Sequence, residues 1–121
     1  MSAEIAFIDD NIDCLEIVKF GFSEVGYEID TFNDPIHFYN SNKPYKVIIS
    51  DFHMPNLDGQ ELLKLIKNKL PDAKTIIYSA YLDGIRNYNL EVDSFLDKPI
   101  DFESLLKVVK ILLYEYNKNI A

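Results

Sequence analysis

Four polar clusters in this chain could do chemistry: Asp9-Asp10, Asp51, Ser79 and Lys98. Each closes a short apolar run: Ile5-Ala6-Phe7-Ile8, Val47-Ile48-Ile49-Ser50, Thr75-Ile76-Ile77-Tyr78 and Ser94-Phe95-Leu96. Apolar runs of that length, bounded by turn residues, read as buried strands. The clusters therefore fall where strands open into loops. Carboxylates gathered in a crevice repel one another unless a cation compensates. All-oxygen donors with open positions suit a hard ion that keeps waters and accepts phosphate oxygens, Mg²⁺ or Mn²⁺. Lys98 adds a movable ammonium and Ser79 a hydroxyl. Together these are the parts of a phosphoryl-transfer site. Asp51 would be the nucleophile and form an acyl phosphate, while metal and ammonium neutralise the equatorial oxygens. Each cluster also has a plainer reading. Asp9-Asp10-Asn11 could cap a helix, Asp51 could be a turn or capping residue, and Ser79 or Lys98 alone is ordinary. Asp58-Gly59 reads as a turn and helix entry in either account. The ordered set favours the site.

The elements that must position these groups alternate along the chain. After the first strand, Ile12, Leu15, Val18, Phe22 and Val25 recur at helical spacing, with Gly26 as a stop. Tyr27 to Phe32 alternates as a second, less buried strand. Asn33-Asp34-Pro35 opens a short helix carrying Ile36, Phe38 and Tyr39. The third strand ends at Asp51, and Phe52 to Gly59 reads as the loop behind it. A third helix spans Gln60 to Leu70, with Leu62, Leu63, Ile66 and Leu70 inward. The fourth strand ends at Ser79-Ala80. Between Tyr81 and Asp93 only a short or irregular fourth helix is predicted, because Asn87 and Asn89 weaken it. Ser94 to Leu96 is the fifth strand. The last helix runs from about Asp101 to Tyr116, with a stripe of Phe102, Leu105, Leu106, Val109, Leu112, Leu113 and Tyr116. Val108 and Ile111 widen that stripe, either as extra core or as a hint of weak self-association. Strands alternating with helices imply right-handed crossovers and an α/β doubly wound parallel sheet covered on both faces. In the order 2-1-3-4-5, strands one and three meet at the switch point and bring Asp9, Asp10 and Asp51 together.

Composition narrows the partners. The 121 residues read as one domain, 1–121, and 48% are apolar, enough for a real core. The net charge is −8, and the 12 Lys and Arg are scattered. That speaks against nucleic acid or an anionic membrane as a direct partner. The N-terminus, Met1-Ser2-Ala3-Glu4, lacks a leader pattern, and no apolar stretch approaches the roughly 20 residues of a membrane span. A cytoplasmic location is the expectation. Cys14, among Leu15, Ile17 and Val18, reads as a buried structural thiol. His37 reads as a surface residue. Gly21, Gly26, Gly59 and Gly84 are isolated, so no phosphate-cradling glycine loop for a nucleotide is present.

From Glu4 to about Tyr116, the ordered set resembles a CheY-like receiver domain of two-component response regulators. The resemblance rests on Asp9-Asp10, on Asp51 with Met54-Pro55-Asn56-Leu57-Asp58-Gly59, on Ser79-Ala80 and on Lys98-Pro99. It implies a flavodoxin-like fold, with Asp51 as phosphoacceptor and Asp10 as a direct Mg²⁺ ligand. Asp9 would act largely through a metal-bound water, and the backbone carbonyl of His53 would be the third protein ligand. Ser79 and Lys98 would bind the phosphoryl group, with the Lys98-Pro99 bond often cis. Phe95 would be the aromatic switch residue that turns inward when Ser79 moves. His53 and Tyr81 would flank the path of water, and bulk there implies a long-lived phosphoryl state. The implied partners are a histidine kinase or histidine phosphotransfer protein upstream and a protein target downstream. The implied catalysis is confined to the chain's own phosphorylation and dephosphorylation. Two features depart from the family pattern. The Tyr81 to Asp93 segment is short, and the switch aromatic is Phe, which lacks a hydroxyl.

Two other functions compete. A haloacid-dehalogenase-like phosphatase also uses an aspartate after a parallel strand, but it needs a second acid two residues on, where His53 stands. A phosphorylation-independent interaction module would predict a lost acid pair or lysine, and all are present.

Overall fold

The computed structural model describes residues 3–54, 57–80, 91–99 and 101–120; for residues 53, 54, 57, 58 and 120 it describes the backbone. The first apolar run forms β1 (Ile5–Ile8), buried along its whole length. It leads into α1 (Ile12–Glu24), whose cap is Asn11: its side-chain oxygen accepts the Cys14 N–H at 3.2 Å. Val25 closes the helix, and Gly26 follows at φ +90, the left-handed conformation that glycine adopts without a Cβ penalty. β2 (Ile29–Phe32) leads to α2 (Pro35–Asn40), capped by Asp34 with Pro35 in its first turn. β3 (Val47–Asp51) is buried throughout. Beyond it, β4 (His53–Met54) and β5 (Leu57–Asp58) pair antiparallel, a hairpin where a plain loop is expected from sequence. α3 (Gly59–Lys69), β6 (Lys74–Ser79), β7 (Ser94–Asp97) and α4 (Phe102–Ile120) complete the described elements.

β1, β2, β3, β6 and β7 form one parallel sheet in the order β2-β1-β3-β6-β7, which is the doubly wound arrangement. Pleating divides the core in two. Ile5, Phe7, Val47, Ile49, Ile76 and Tyr78 face α1 and α4, meeting Leu15, Val18, Phe22, Leu105 and Val109. Ala6, Ile8 and Ile48 face the opposite way, onto Phe38, Tyr45, Leu62 and Ile66. Leu63, Phe52 and Ile77 form a third cluster, and Val92 and Phe95 pack on it.

Several side chains lie differently from the helical-stripe reading. Ile12 and Val25, at the two ends of α1, are exposed, as are Ile36 and Tyr39 on α2. Spacing counts Ile12 and Val25 with the inner face, but they stand at the helix ends; of Ile36, Phe38 and Tyr39 on α2, Phe38 is the buried one. On α4, Val108 packs against the core while Ile111 is exposed, so extra core accounts for only one of the pair. α4 also extends through Asn117 to Ile120, past the expected end near Tyr116. Cys14 is half-buried rather than buried. His37 is exposed. The predicted irregular helix, Tyr81 included, and Pro55, Asn56 and Gly84 lie outside the described residues.

Candidate functional site

Register decides what meets at the carboxyl edge of the sheet. Ile8 pairs with Ser50 and Asp51 with Tyr78, so β1, β3 and β6 end almost level. Asp9 and Asp51 continue the alternation of Phe7 and Ile49, and their side chains emerge on the α1 and α4 side. Asp9 is anchored first by its backbone, whose N–H donates to the Phe32 carbonyl at 3.0 Å. Its Oδ1 then accepts the Asn11 N–H at 3.0 Å. Asp9 is 1% exposed and Asp51 3%, whereas Asp10 lies on the surface. Carboxylate oxygens of the three acids lie within 4.8 Å of one another.

The backbone around Asp51 is pinned on both sides. The Ser50 hydroxyl donates to the Asp51 carbonyl at 2.9 Å, and the Phe52 N–H donates to the Tyr78 carbonyl at 3.3 Å. The Lys98 N–H donates to the Ser79 carbonyl at 3.1 Å, which carries the lysine to the same edge just before the cis Lys98-Pro99 bond. Its ammonium reaches Asp51 Oδ2 at 2.9 Å. Ser79 is fully buried at the end of β6. Phe95 is half-buried on the Ile77 cluster, one strand over.

The charges respond to this crowding. Partial desolvation at the sheet edge, the neighbouring Asp9 and the charge of Asp51 push the Asp10 carboxyl above its ordinary range. Desolvation pulls the Lys98 ammonium down, but its hydrogen bond to Asp51 and the charges of Asp51 and Asp9 outweigh it and hold the group above an ordinary lysine. Burial and Asp9 raise the Cys14 thiol, which makes it a poorer nucleophile.

Tyr78 belongs to this site although the strand reading treats it as one more apolar residue. It is fully buried, and its hydroxyl donates to Asp9 Oδ2. Its ring lies under the Lys98 ammonium, 4.8 Å from Nζ to centroid, and meets Phe7 edge-on at 5.4 Å. The usable signal was its place: a phenol level with Asp51, on the face of the sheet that Asp51 shares.

The donor set suits a hard divalent cation. Three carboxylates supply oxygens only, and their mutual repulsion is relieved by a positive ion. Asp9, Asp10, Asp51 and Lys98 are thus brought together, with Ser79 at the adjoining strand end. The His53 backbone starts β4 two residues beyond Asp51.

The family model for the response regulator receiver domain matches residues 5–110. The chain belongs to that family. The transcriptional regulator NtrC of Proteus hauseri is 33% identical over 89 residues, which covers 71% of this chain and 19% of NtrC. The regulatory protein VanRB of Enterococcus faecalis is 29% identical over 118 residues, covering 93% of this chain and 53% of VanRB. The chain thus spans about half of VanRB and a smaller part of NtrC. A receiver domain protein from Clostridium thermocellum superposes with a TM-score of 0.84 at 26% identity, covering 99% of this chain and 100% of that one. This is a receiver domain of two-component signalling with the CheY-like flavodoxin fold. Among the described residues no helix is long and apolar enough to cross a membrane.

Proposed function

We propose that this receiver domain is a phosphorylation-activated switch whose phosphoacceptor is Asp51. One observation carries the reading. A nearly buried Asp51 carboxylate sits 2.9 Å from the Lys98 ammonium and within 4.8 Å of the Asp9 and Asp10 oxygens. Mg²⁺, or Mn²⁺, would be held by Asp10 and Asp51, by Asp9 through water and by the His53 backbone carbonyl. It would supply charge neutralisation for the transferred group. Lys98 orients the Asp51 carboxylate and then follows the phosphoryl oxygens. Ser79 donates its hydroxyl to the same group.

The donor is a phosphohistidine on a kinase or phosphotransfer protein. Asp51 Oδ attacks phosphorus in line, a P–O bond forms, the P–N bond breaks, and the leaving imidazole takes up a proton. Such transfer rests on positioning and electrostatics more than on covalent activation. Phe95, paired with Ile77 two residues before Ser79 on β6, then biases the surface offered to a downstream protein. His53 and Tyr81 are the residues expected to slow hydrolysis and so lengthen the phosphorylated state. Catalysis is confined to the domain's own phosphorylation and dephosphorylation, in the cytoplasm.

Incubation with Mg²⁺ and a small phosphodonor, followed by intact mass, tests this. One added phosphoryl group is expected, absent without metal and in Asp51→Asn. No adduct with any donor would contradict the proposal and favour an interaction module that works without phosphorylation.

A further inference from the structure

Tyr78 is a buried polar side chain of the site that the phosphoryl-transfer reading leaves without a task. It starts on β6, and the strand between it and β1 is β3, which ends at Asp51. Its phenol therefore passes beneath the end of β3 to reach Asp9 Oδ2. With the Asn11 N–H on Oδ1, both oxygens of Asp9 accept a hydrogen bond from the protein. A buried carboxylate held by two donors cannot swing. The lone pairs that remain point where the orientation of the group sends them. The same ring supports the Lys98 ammonium. Phe7 packs edge-on against it and fixes its tilt.

We propose that Tyr78 is a positioning residue for metal binding: its hydroxyl holds the Asp9 carboxylate in the orientation that lets the acid pair take a divalent cation. This rests on the reading of Asp9, Asp10 and Asp51 as a Mg²⁺ site. Partners that orient metal-binding carboxylates govern affinity without touching the ion. Tyr78→Phe isolates the hydroxyl, because the ring, its contact with Phe7 and the shelf under Lys98 all remain.

The test is a Mg²⁺ titration of the unphosphorylated domain followed by NMR, alongside thermal unfolding without metal. Tyr78→Phe should weaken Mg²⁺ binding roughly 10-fold. In an Asp9→Asn background the same substitution should weaken it no further, since the group it positions is no longer a carboxylate. A lowered Tm with unchanged Mg²⁺ affinity would mark the hydroxyl as merely structural and overturn the inference. Wild-type protein that binds no Mg²⁺ would overturn the metal-site reading and this inference with it. A second measurement needs only well-folded wild type. With ¹³C-labelled tyrosine rings, the Tyr78 resonance should shift with Mg²⁺ along the same binding curve, and a resonance that does not move would count against the role.

Discussion

At the scale of single residues, the site is a balance between three acids and one ammonium. Lys98→Ala removes that ammonium from Asp51 Oδ2. Lys98 is one-third exposed, so solvent screens part of the loss, and a stability cost of about 1–2 kcal/mol is expected by urea unfolding. Phosphoryl uptake from a small donor should slow by roughly 100-fold, the scale for losing one preorganised charge at a reacting oxygen. Asp10 gives a prediction of opposite sign. Its folded-state pKa is raised, so on passing up through that range the folded state holds its proton longer than the unfolded chain does. Stability therefore falls as pH rises through the window, and the ionised group is a cost at neutral pH. Asp10 is exposed and solvent screens it, so Asp10→Asn should raise the metal-free Tm only slightly, and added Mg²⁺ should stabilise this variant less than wild type. A lower metal-free Tm in Asp10→Asn would contradict the electrostatic account. The places of Asp9, Asp10, Asp51 and Lys98 were legible in the sequence because each interrupts an apolar run at a strand end. Tyr78 was not. A phenol inside Ile76-Ile77-Tyr78 counts as apolar in any pattern, and only the side-chain geometry shows that it reaches Asp9.

At the scale of elements, two contacts hold the site's scaffold in shape. A Cβ at Gly59 would lie 2.2 Å from the Phe52 ring, so glycine there lets Phe52 close over the start of α3. Gly59→Ala should cost about 1–3 kcal/mol through overpacking, read by urea unfolding, and should loosen the segment that follows Asp51. The other contact is at the sheet edge. The Tyr45 hydroxyl donates to Asp30 Oδ2 at 2.5 Å, and Lys43 reaches the same oxygen at 2.8 Å, tying the segment before β3 to β2. Burial and Asp30 push the Tyr45 phenol up to about 12. The folded state therefore keeps this proton between the ordinary tyrosine value of 10.0 and about 12. The contribution is complete below that window and disappears as pH rises through it. Tyr45→Phe should lose about 1.5–3 kcal/mol at neutral pH, and its stability should fall less steeply than wild type across the alkaline window. Equal alkaline slopes would contradict this. The inner faces of the helices were readable from periodicity, and the strand order from strands alternating with helices in a doubly wound sheet. The exposure of Ile12 and Val25 was not, because spacing gives a face and says nothing of where packing against it stops. The β4–β5 hairpin also escaped, since two-residue strands carry no period.

At the scale of the molecule, the parallel sheet converts scattered sequence positions into one acidic edge. Residues 9, 10, 51, 79 and 98 are far apart along the chain, and the crossovers alone bring them to the same end. The overall charge of −8 makes the Lys98 ammonium a local exception at that edge, held there by Asp51 and the Tyr78 ring. On the proposed reading, a change at Asp51 would pass through β6 and β7, whose pairing sets Ile77 beside Phe95 and Ser79 beside Asp97, with Phe95 packed on the cluster of Phe52, Leu63 and Ile77. All of this depends on which carboxylate becomes covalently modified. The most direct measurement is borohydride trapping after incubation with Mg²⁺ and a small phosphodonor, followed by peptide mass mapping. Hydride reduces an acyl phosphate to the alcohol, so homoserine should appear at position 51, only with metal and donor together. Homoserine at Asp9 or Asp10, or at no position, would contradict the account.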